Sequence, residues 1–147
     1  MAAIQRTADA VWEGDLHGGK GGITTPSGVL QNDSYSFVTR FENSPGTNPE
    51  ELIVAAYTAC FSMNLSGVLG GKGYHPESIR THGILSMDRT DAGFTITKIR
   101  LEAEGKVANI DEATFKELAN VAEKTCPVSR LLRPGLQEVE VAATLIK

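Results

Sequence analysis

Residues 48–71, NPEELIVAAYTACFSMNLSGVLGG, decide how this chain folds. Asn48 suits a helix cap, Pro49 suits the first helical position, and Glu51 stands three residues beyond the cap, as in a capping box. Glu50 and Glu51 sit where the helix dipole favours negative charge. From there to about Leu69 the residues are apolar or small nearly all round, and Gly70-Gly71 ends the run. The pattern predicts a helix of roughly 22 residues, about 33 Å long. A helix apolar on every side has to be covered on every side. A single sheet from this chain covers one flank, so a second subunit is expected on the other. The alternative is a monomer whose strongly curved sheet wraps the helix.

Outward from this helix the pattern is that of strands. Upstream, Ala10, Trp12, Gly14 and Leu16 alternate with polar or small neighbours, a half-buried strand pattern. His17 to Gly22 (HGGKGG) reads as a turn, Ile23 to Thr25 as a returning strand, and Tyr35 to Phe41 as a third strand with Tyr35, Phe37, Thr39 and Phe41 on one face. Downstream, Ile79, Thr81, Gly83, Leu85 and Met87 share a strand face. Phe94 and Ile96 have even parity whereas Ile99, Leu101 and Ala103 have odd parity, which places a bulge near Thr97-Lys98. Asp111 caps a second helix with the buried stripe Phe115, Leu118, Ala119 and Ala122. Cys126-Pro127 breaks that helix and opens a short one through Leu132, and Gln137 to Ile146 alternates as a closing strand. The order β-β-β-α-β-β-α-β is α+β, with mainly antiparallel sheets around a long central helix.

At 147 residues the chain has the size of one domain, spanning 1–147. Fourteen Lys and Arg against eighteen Asp and Glu give a net charge of −4, which argues against phosphate-driven nucleic-acid binding. The longest apolar run, Leu52 to Phe61, falls short of the ~20 residues of a membrane span. The N-terminus, MAAIQRTADA, lacks the basic and apolar segments of a secretory leader. Two cysteines are too few for a disulfide scaffold, so a cytoplasmic location is expected.

Several familiar motifs fail. Gly14 to Lys20 has the spacing of a phosphate loop, but Gly21 replaces the magnesium-holding hydroxyl residue and no helix follows. His17, His75 and His82 show no metal-ligand spacing, and the cysteines form no C-x-x-C pair, so neither a metal nor a cofactor is expected. Cys60 lies mid-helix, where a small buried cysteine is commonly just packing. Cys126 precedes Pro127, where a thiol could cap a helix start and be drawn toward thiolate by unpaired amides, or act as a simple small cap. Arg40 shares the second face of the third strand with Val38; an inward arginine needs an anion, from Glu50, Glu51 or a thiolate at Cys60. A rim arginine paired with Glu42 is the alternative.

Seven stretches together resemble the osmotically inducible protein C (OsmC) family, related to the organic hydroperoxide resistance (Ohr) proteins. They are Val11-Trp-Glu-Gly-Asp15, Ser27-Gly-Val-Leu30, Phe37-Val-Thr-Arg-Phe41, Gly46-Thr-Asn-Pro-Glu-Glu-Leu52, Ala59-Cys-Phe-Ser-Met63, Asp91-Ala-Gly-Phe94 and Cys126-Pro-Val-Ser129. The WEGD and TRF segments favour the OsmC branch. The resemblance implies a thiol peroxidase that reduces organic hydroperoxides, built as an intertwined homodimer with active sites at the subunit boundary. It implies Cys60 as the peroxidatic cysteine, Cys126 as the resolving one, Arg40 as the activating arginine and Glu50 as its orienting carboxylate through a bidentate pair. A small-molecule or protein dithiol is the implied reductant.

Ten helical residues put Glu50 about 15 Å along the axis from Cys60. Both cannot serve one site from one straight helix, so Glu50 is expected to act on Cys60 of the other subunit. Tyr57, Phe61, Met63, Phe37 and Phe41 are the candidates for an apolar pocket. Two other functions fit the residues: a dithiol-disulfide oxidoreductase acting on proteins through Cys126-Pro127, and a non-enzymatic stress-induced dimer with inert cysteines.

Overall fold

Asp15 makes the first turn of the chain. Its carboxylate accepts hydrogen bonds from the amides of His17 and Gly18, at 2.9 and 2.8 Å, and so bends the chain back on itself. Those amides hold the carboxyl below its usual range. The loop with phosphate-loop spacing is therefore a hairpin turn whose amides already have an anion. A computed structural model describes residues 3–147; Met1 and Ala2, part of the segment read for a leader, lie outside the described residues. The described chain forms two compact units, Met1–Leu52 and Ile53–Lys147.

In the first unit, β1 (Asp9–Glu13), β2 (Lys20–Thr24) and β3 (Gln31–Tyr35) form an antiparallel meander. A Cβ at Gly21 would come within 2.3 Å of the Tyr35 ring, so glycine is what lets that ring lie across β2. Strand β1 is exposed along its whole length in the chain, contrary to the half-buried reading. The third predicted strand, Tyr35 to Phe41, is displaced: β3 lies upstream and shares only Tyr35 with it. After Tyr35 the chain turns into a one-turn helix, α1 (Phe37–Phe41). Ser36 caps it: the Ser36 hydroxyl accepts from the Thr39 amide at 3.2 Å, and the Ser36 amide donates to the Thr39 hydroxyl at 2.8 Å. Phe37, Thr39 and Phe41 alternate as strand residues would, but Phe37 and Phe41 are also one helical turn apart, and the reciprocal cap chose the helix.

Helix α2 (Pro49–Gly71) begins as expected, with the Glu51 amide donating to the Asn48 side chain at 2.8 Å. It ends where Gly73 takes a φ of +84° and the Tyr74 amide returns to the Leu69 carbonyl at 3.0 Å. Most of α2 belongs to the second unit. There Tyr57, Phe61, Leu65 and Leu69, spaced by four, are fully buried. By length and composition alone α2 could cross a membrane, because small and polar residues interrupt but do not outweigh its apolar ones. Its buried stripe instead makes it a core helix. The opposite face, including Ala55, Ala56, Ala59, Met63 and Ser66, is exposed in the chain.

The sheet of the second unit runs β4 (Pro76–Thr90), β5 (Gly93–Val107) and β6 (Glu138–Leu145). Strands β4 and β5 pair antiparallel, with Ser86 opposite Lys98 and Met87 opposite Ile96, so Thr97 is the bulged residue that the parity change foretold. Strand β6 pairs parallel to β5 because the chain crosses over through α3 (Glu112–Thr125), α4 (Pro127–Leu132) and a 3-10 turn, Arg133–Gly135. Asp111 caps α3, accepting from the Thr114 amide at 2.8 Å. Ile99, Leu101 and Ala103 of β5, Ala143 of β6 and Phe115, Leu118, Ala119 and Ala122 of α3 close the core around the α2 stripe. Gly83 lets α2 approach β4: a Cβ there would lie 2.5 Å from Val54 Cγ2 and 2.6 Å from Thr58 Cγ2.

Candidate active site

Helix α2 carries Cys60 three residues after the buried Tyr57, on the shoulder of its core stripe, which leaves the sulfur half-buried. Cys126 is placed by the break between α3 and α4. It ends one helix, with its amide donating to the Ala122 carbonyl at 2.9 Å, and caps the next, with Pro127 in the first turn. Its side chain is fully buried. Although 66 residues separate the two cysteines, the Cys126 thiol points at Cys60 Sγ at 3.0 Å, and both thiols are free. The fold brings together the pair that spacing alone could not join.

Burial pushes the Cys126 thiol up, and its bond to Cys60 pushes it further; the amides of Ser129 and Val128 at the start of α4 draw it down by less. The expectation that the helix start favours a Cys126 thiolate is therefore corrected. Desolvation outweighs a helix of one and a half turns, and Cys126 keeps its proton.

A buried polar network ties the segment that holds Cys126. The Tyr57 hydroxyl lies 2.9 Å from Glu123 Oε1 and 2.8 Å from Ser129 Oγ. Glu123 also accepts from the Ser129 hydroxyl and from the Arg133 guanidinium. Burial raises the Glu123 carboxyl, but the bonds from Ser129, Arg133 and Tyr57 bring it to a net position below its usual value. Burial pushes the Tyr57 phenol well above its ordinary range. Asn64 adds a second tie, donating to the Ala122 carbonyl at 2.7 Å and to the Thr125 hydroxyl at 2.8 Å. The sequence reading missed this network. Tyr57 at minus three and Asn64 at plus four from Cys60, large polar groups among mostly apolar or small residues, were the available signal.

In the first unit, Arg40 lies on α1, not on a strand, and its partner is Glu50 rather than Glu42 or Glu51. Arg40 Nε and Nη2 donate to Glu50 Oε1 at 2.9 and 2.6 Å. Both bonds converge on one carboxylate oxygen, so the expected two-oxygen bidentate pair is corrected to a fork. Glu50 is 9% exposed, and its Oε2 is buried with no hydrogen-bond partner among the described residues. Arg40 borders a cleft of about 300 Å³ lined by Trp12, Leu16, Tyr35, Phe37 and Phe41. Its guanidinium carbon stands 5.3 Å from the Phe41 ring centre, and the Phe37 and Phe41 rings are 4.7 Å apart.

The pocket candidates thus divide. Phe37 and Phe41 line the cleft. Tyr57 and Phe61 are fully buried core residues, while Met63 is 75% exposed on the outer face of α2. Trp12, Leu16 and Tyr35 were missed because β1, its loop and β3 meet only in the folded hairpin. Among the described residues, no group of three or more His, Cys, Asp or Glu is arranged to hold a metal.

Residues 41–140 match the family model described as OsmC-like protein. The peroxiredoxin OsmC of Escherichia coli is 52% identical over 130 residues, covering 88% of this chain and 91% of that protein. The organic hydroperoxide resistance protein OhrB of Bacillus subtilis is 35% identical over 118 residues, covering 79% and 85%. A crystal structure of B. subtilis OhrB superposes with a TM-score of 0.73 at 27% identity, covering 94% of this chain and 98% of that one. With the fold, the cysteine pair and the sequence in agreement, the chain belongs to the OsmC family.

Proposed function

We propose that this protein is a cysteine-based peroxidase that reduces organic hydroperoxides to alcohols. The observation that carries the reading is the approach of the two sulfurs: a half-buried Cys60 faces a buried, protonated Cys126 at 3.0 Å. The Cys60 thiolate attacks the distal peroxide oxygen. The O–O bond breaks, the alkoxide leaves and takes up a proton as the alcohol, and Cys60 becomes a sulfenic acid. Cys126 sulfur then attacks Cys60 sulfur; the S–O bond breaks, and the departing hydroxide takes the Cys126 proton to give water and a disulfide. A small-molecule or protein dithiol supplies the two electrons and two protons that restore both thiols. The names peroxiredoxin OsmC and organic hydroperoxide resistance protein OhrB support the same chemistry.

Arg40, oriented by Glu50, binds the oxygen on which charge develops as the peroxide bond breaks. The aromatic cleft beside Arg40 fits an alkyl or aryl group, so bulky hydroperoxides are preferred over hydrogen peroxide. Glu50 and Cys60 are separated by about 15 Å along a straight helix, which supports assembly as a homodimer in which Arg40 and Glu50 of one copy serve Cys60 of the other. The exposed small-residue face of α2 fits that assembly. The chain acts as one functional domain, 1–147, in the cytoplasm, without nucleic-acid or membrane partners. A protein disulfide reductase fits less well, because Cys126, its attacking thiol, is fully buried.

Stopped-flow mixing of the reduced protein with cumene hydroperoxide tests the reading. Rapid consumption that disappears in Cys60→Ser is expected. Equal rates for wild type and that variant would end it, as would faster reduction of a protein disulfide than of the peroxide.

A further inference from the structure

Resolution is a race. A sulfenic acid on Cys60 meets either the Cys126 thiol or a second peroxide, and the second outcome gives a sulfinic acid. Winning the race requires Cys126 to stay near Cys60, yet Cys126 sits at a chain break between α3 and the one-and-a-half-turn α4. Such a short helix has little stability of its own. Something else has to hold the segment.

The structure supplies two polar ties, one on each side of Cys60 along α2. On the N-terminal side, Tyr57 reaches Glu123 at 2.9 Å and Ser129 at 2.8 Å, residues three before and three after Cys126. Glu123 is 2% exposed and Ser129 1%, so these bonds form away from water, where leaving either group unpaired is costly. Arg133, in the turn after α4, completes the Glu123 carboxylate. On the C-terminal side, Asn64 donates at 2.7 Å to the Ala122 carbonyl, the same oxygen that accepts the Cys126 amide at 2.9 Å. An apolar core alone would allow the α3–α4 break to slide along α2. Directional bonds at minus three and plus four from Cys60 fix its register.

We propose that Tyr57, Asn64 and Glu123 are positioning residues for disulfide formation, a clamp that holds the Cys126 segment against Cys60 and protects the peroxidatic sulfur from over-oxidation. The inference rests on the peroxidase reading and adds to it residues to which that mechanism assigns no chemical step.

The test uses Tyr57→Phe, Asn64→Ala and Glu123→Gln in the full chain, with Leu118→Ala as a core control that leaves the clamp intact. Each reduced protein is mixed with cumene hydroperoxide. The rate of the first oxidation, the rate of disulfide formation and the mass yield of Cys60 sulfinic acid per turnover are then measured. In the clamp variants, disulfide formation should slow several-fold more than first oxidation, and sulfinic acid per turnover should rise several-fold. The core control should partition as wild type does. Should Glu123→Gln fail to fold, Tyr57→Phe and Asn64→Ala decide the matter. Wild-type partitioning in both, or the same rise in Leu118→Ala, overturns the inference. A wild-type protein that consumes no peroxide refutes the peroxidase reading instead.

Discussion

The two sulfurs differ in their surroundings, and the difference divides their labour in the proposed mechanism. Cys126 is buried and held in its thiol form; Cys60 has access to solvent and accepts the Cys126 proton as a hydrogen-bond partner. In that mechanism Arg40 would supply the positive charge that the departing oxygen needs. Replacing Arg40 by Ala should lower the peroxide rate on the order of 10²-fold, the usual cost of a lost oxyanion donor. An unchanged rate would assign that role to another group. Glu123 gives a pH prediction. Its folded carboxyl lies below the ordinary value of 4.5, so its stabilising effect is complete above that value and is lost as pH falls through the folded one. Urea unfolding should show wild type more stable than Glu123→Gln at neutral pH, with the gap narrowing below about pH 4.5. A gap that widens in acid would contradict the sign.

At the level of elements, close approach decides more than propensity. Helix α2 packs on β4 where Gly83 has no side chain, and its stripe of Tyr57, Phe61, Leu65 and Leu69 fills the space above β5. Gly83→Ala puts a methyl group against Val54 and Thr58 and should cost about 1–3 kcal/mol in urea or thermal unfolding, the range for overpacking. A neutral substitution there would mean that α2 shifts freely on the sheet, which its polar ties argue against. Helix α1 teaches a related lesson. The spacing Ser36-x-x-Thr39 was visible in the sequence, and so was the Phe37–Phe41 separation. Period-two alternation over the same five residues concealed both, because such a short segment satisfies either period. The outcome moves Arg40 from a strand face to the last turn of a helix, beside Phe41 and against Glu50.

For the whole molecule, the proposed assembly sets which copy completes which site. The proposed homodimer predicts complementation between defective chains. Cys60→Ser should be inactive and Arg40→Ala slowed on the order of 10²-fold, but mixed and reassembled they should recover about a quarter of the wild-type rate if sites are shared in trans. That is the statistical share from one restored site in half of the dimers. Recovery should vanish if each chain completes its own site. Size-exclusion chromatography with light scattering should find the mixed species at twice the chain mass.

The sequence by itself determined the elements whose signals are local: the Asn48 and Asp111 caps, the length of α2, the bulge at Thr97 and the stripe of α3. Through its resemblance to the OsmC family it also put forward Cys60, Cys126, Arg40 and Glu50 as candidates. Only the tertiary structure decided that the sulfurs meet at 3.0 Å, that Cys126 is held as a thiol, that Arg40 forks onto one oxygen of Glu50, and that Tyr57 and Asn64 anchor the Cys126 segment. The physical reason is range. Caps and periodicity act over a few residues, whereas desolvation and hydrogen bonding between residues some sixty positions apart exist only once the core has closed around them.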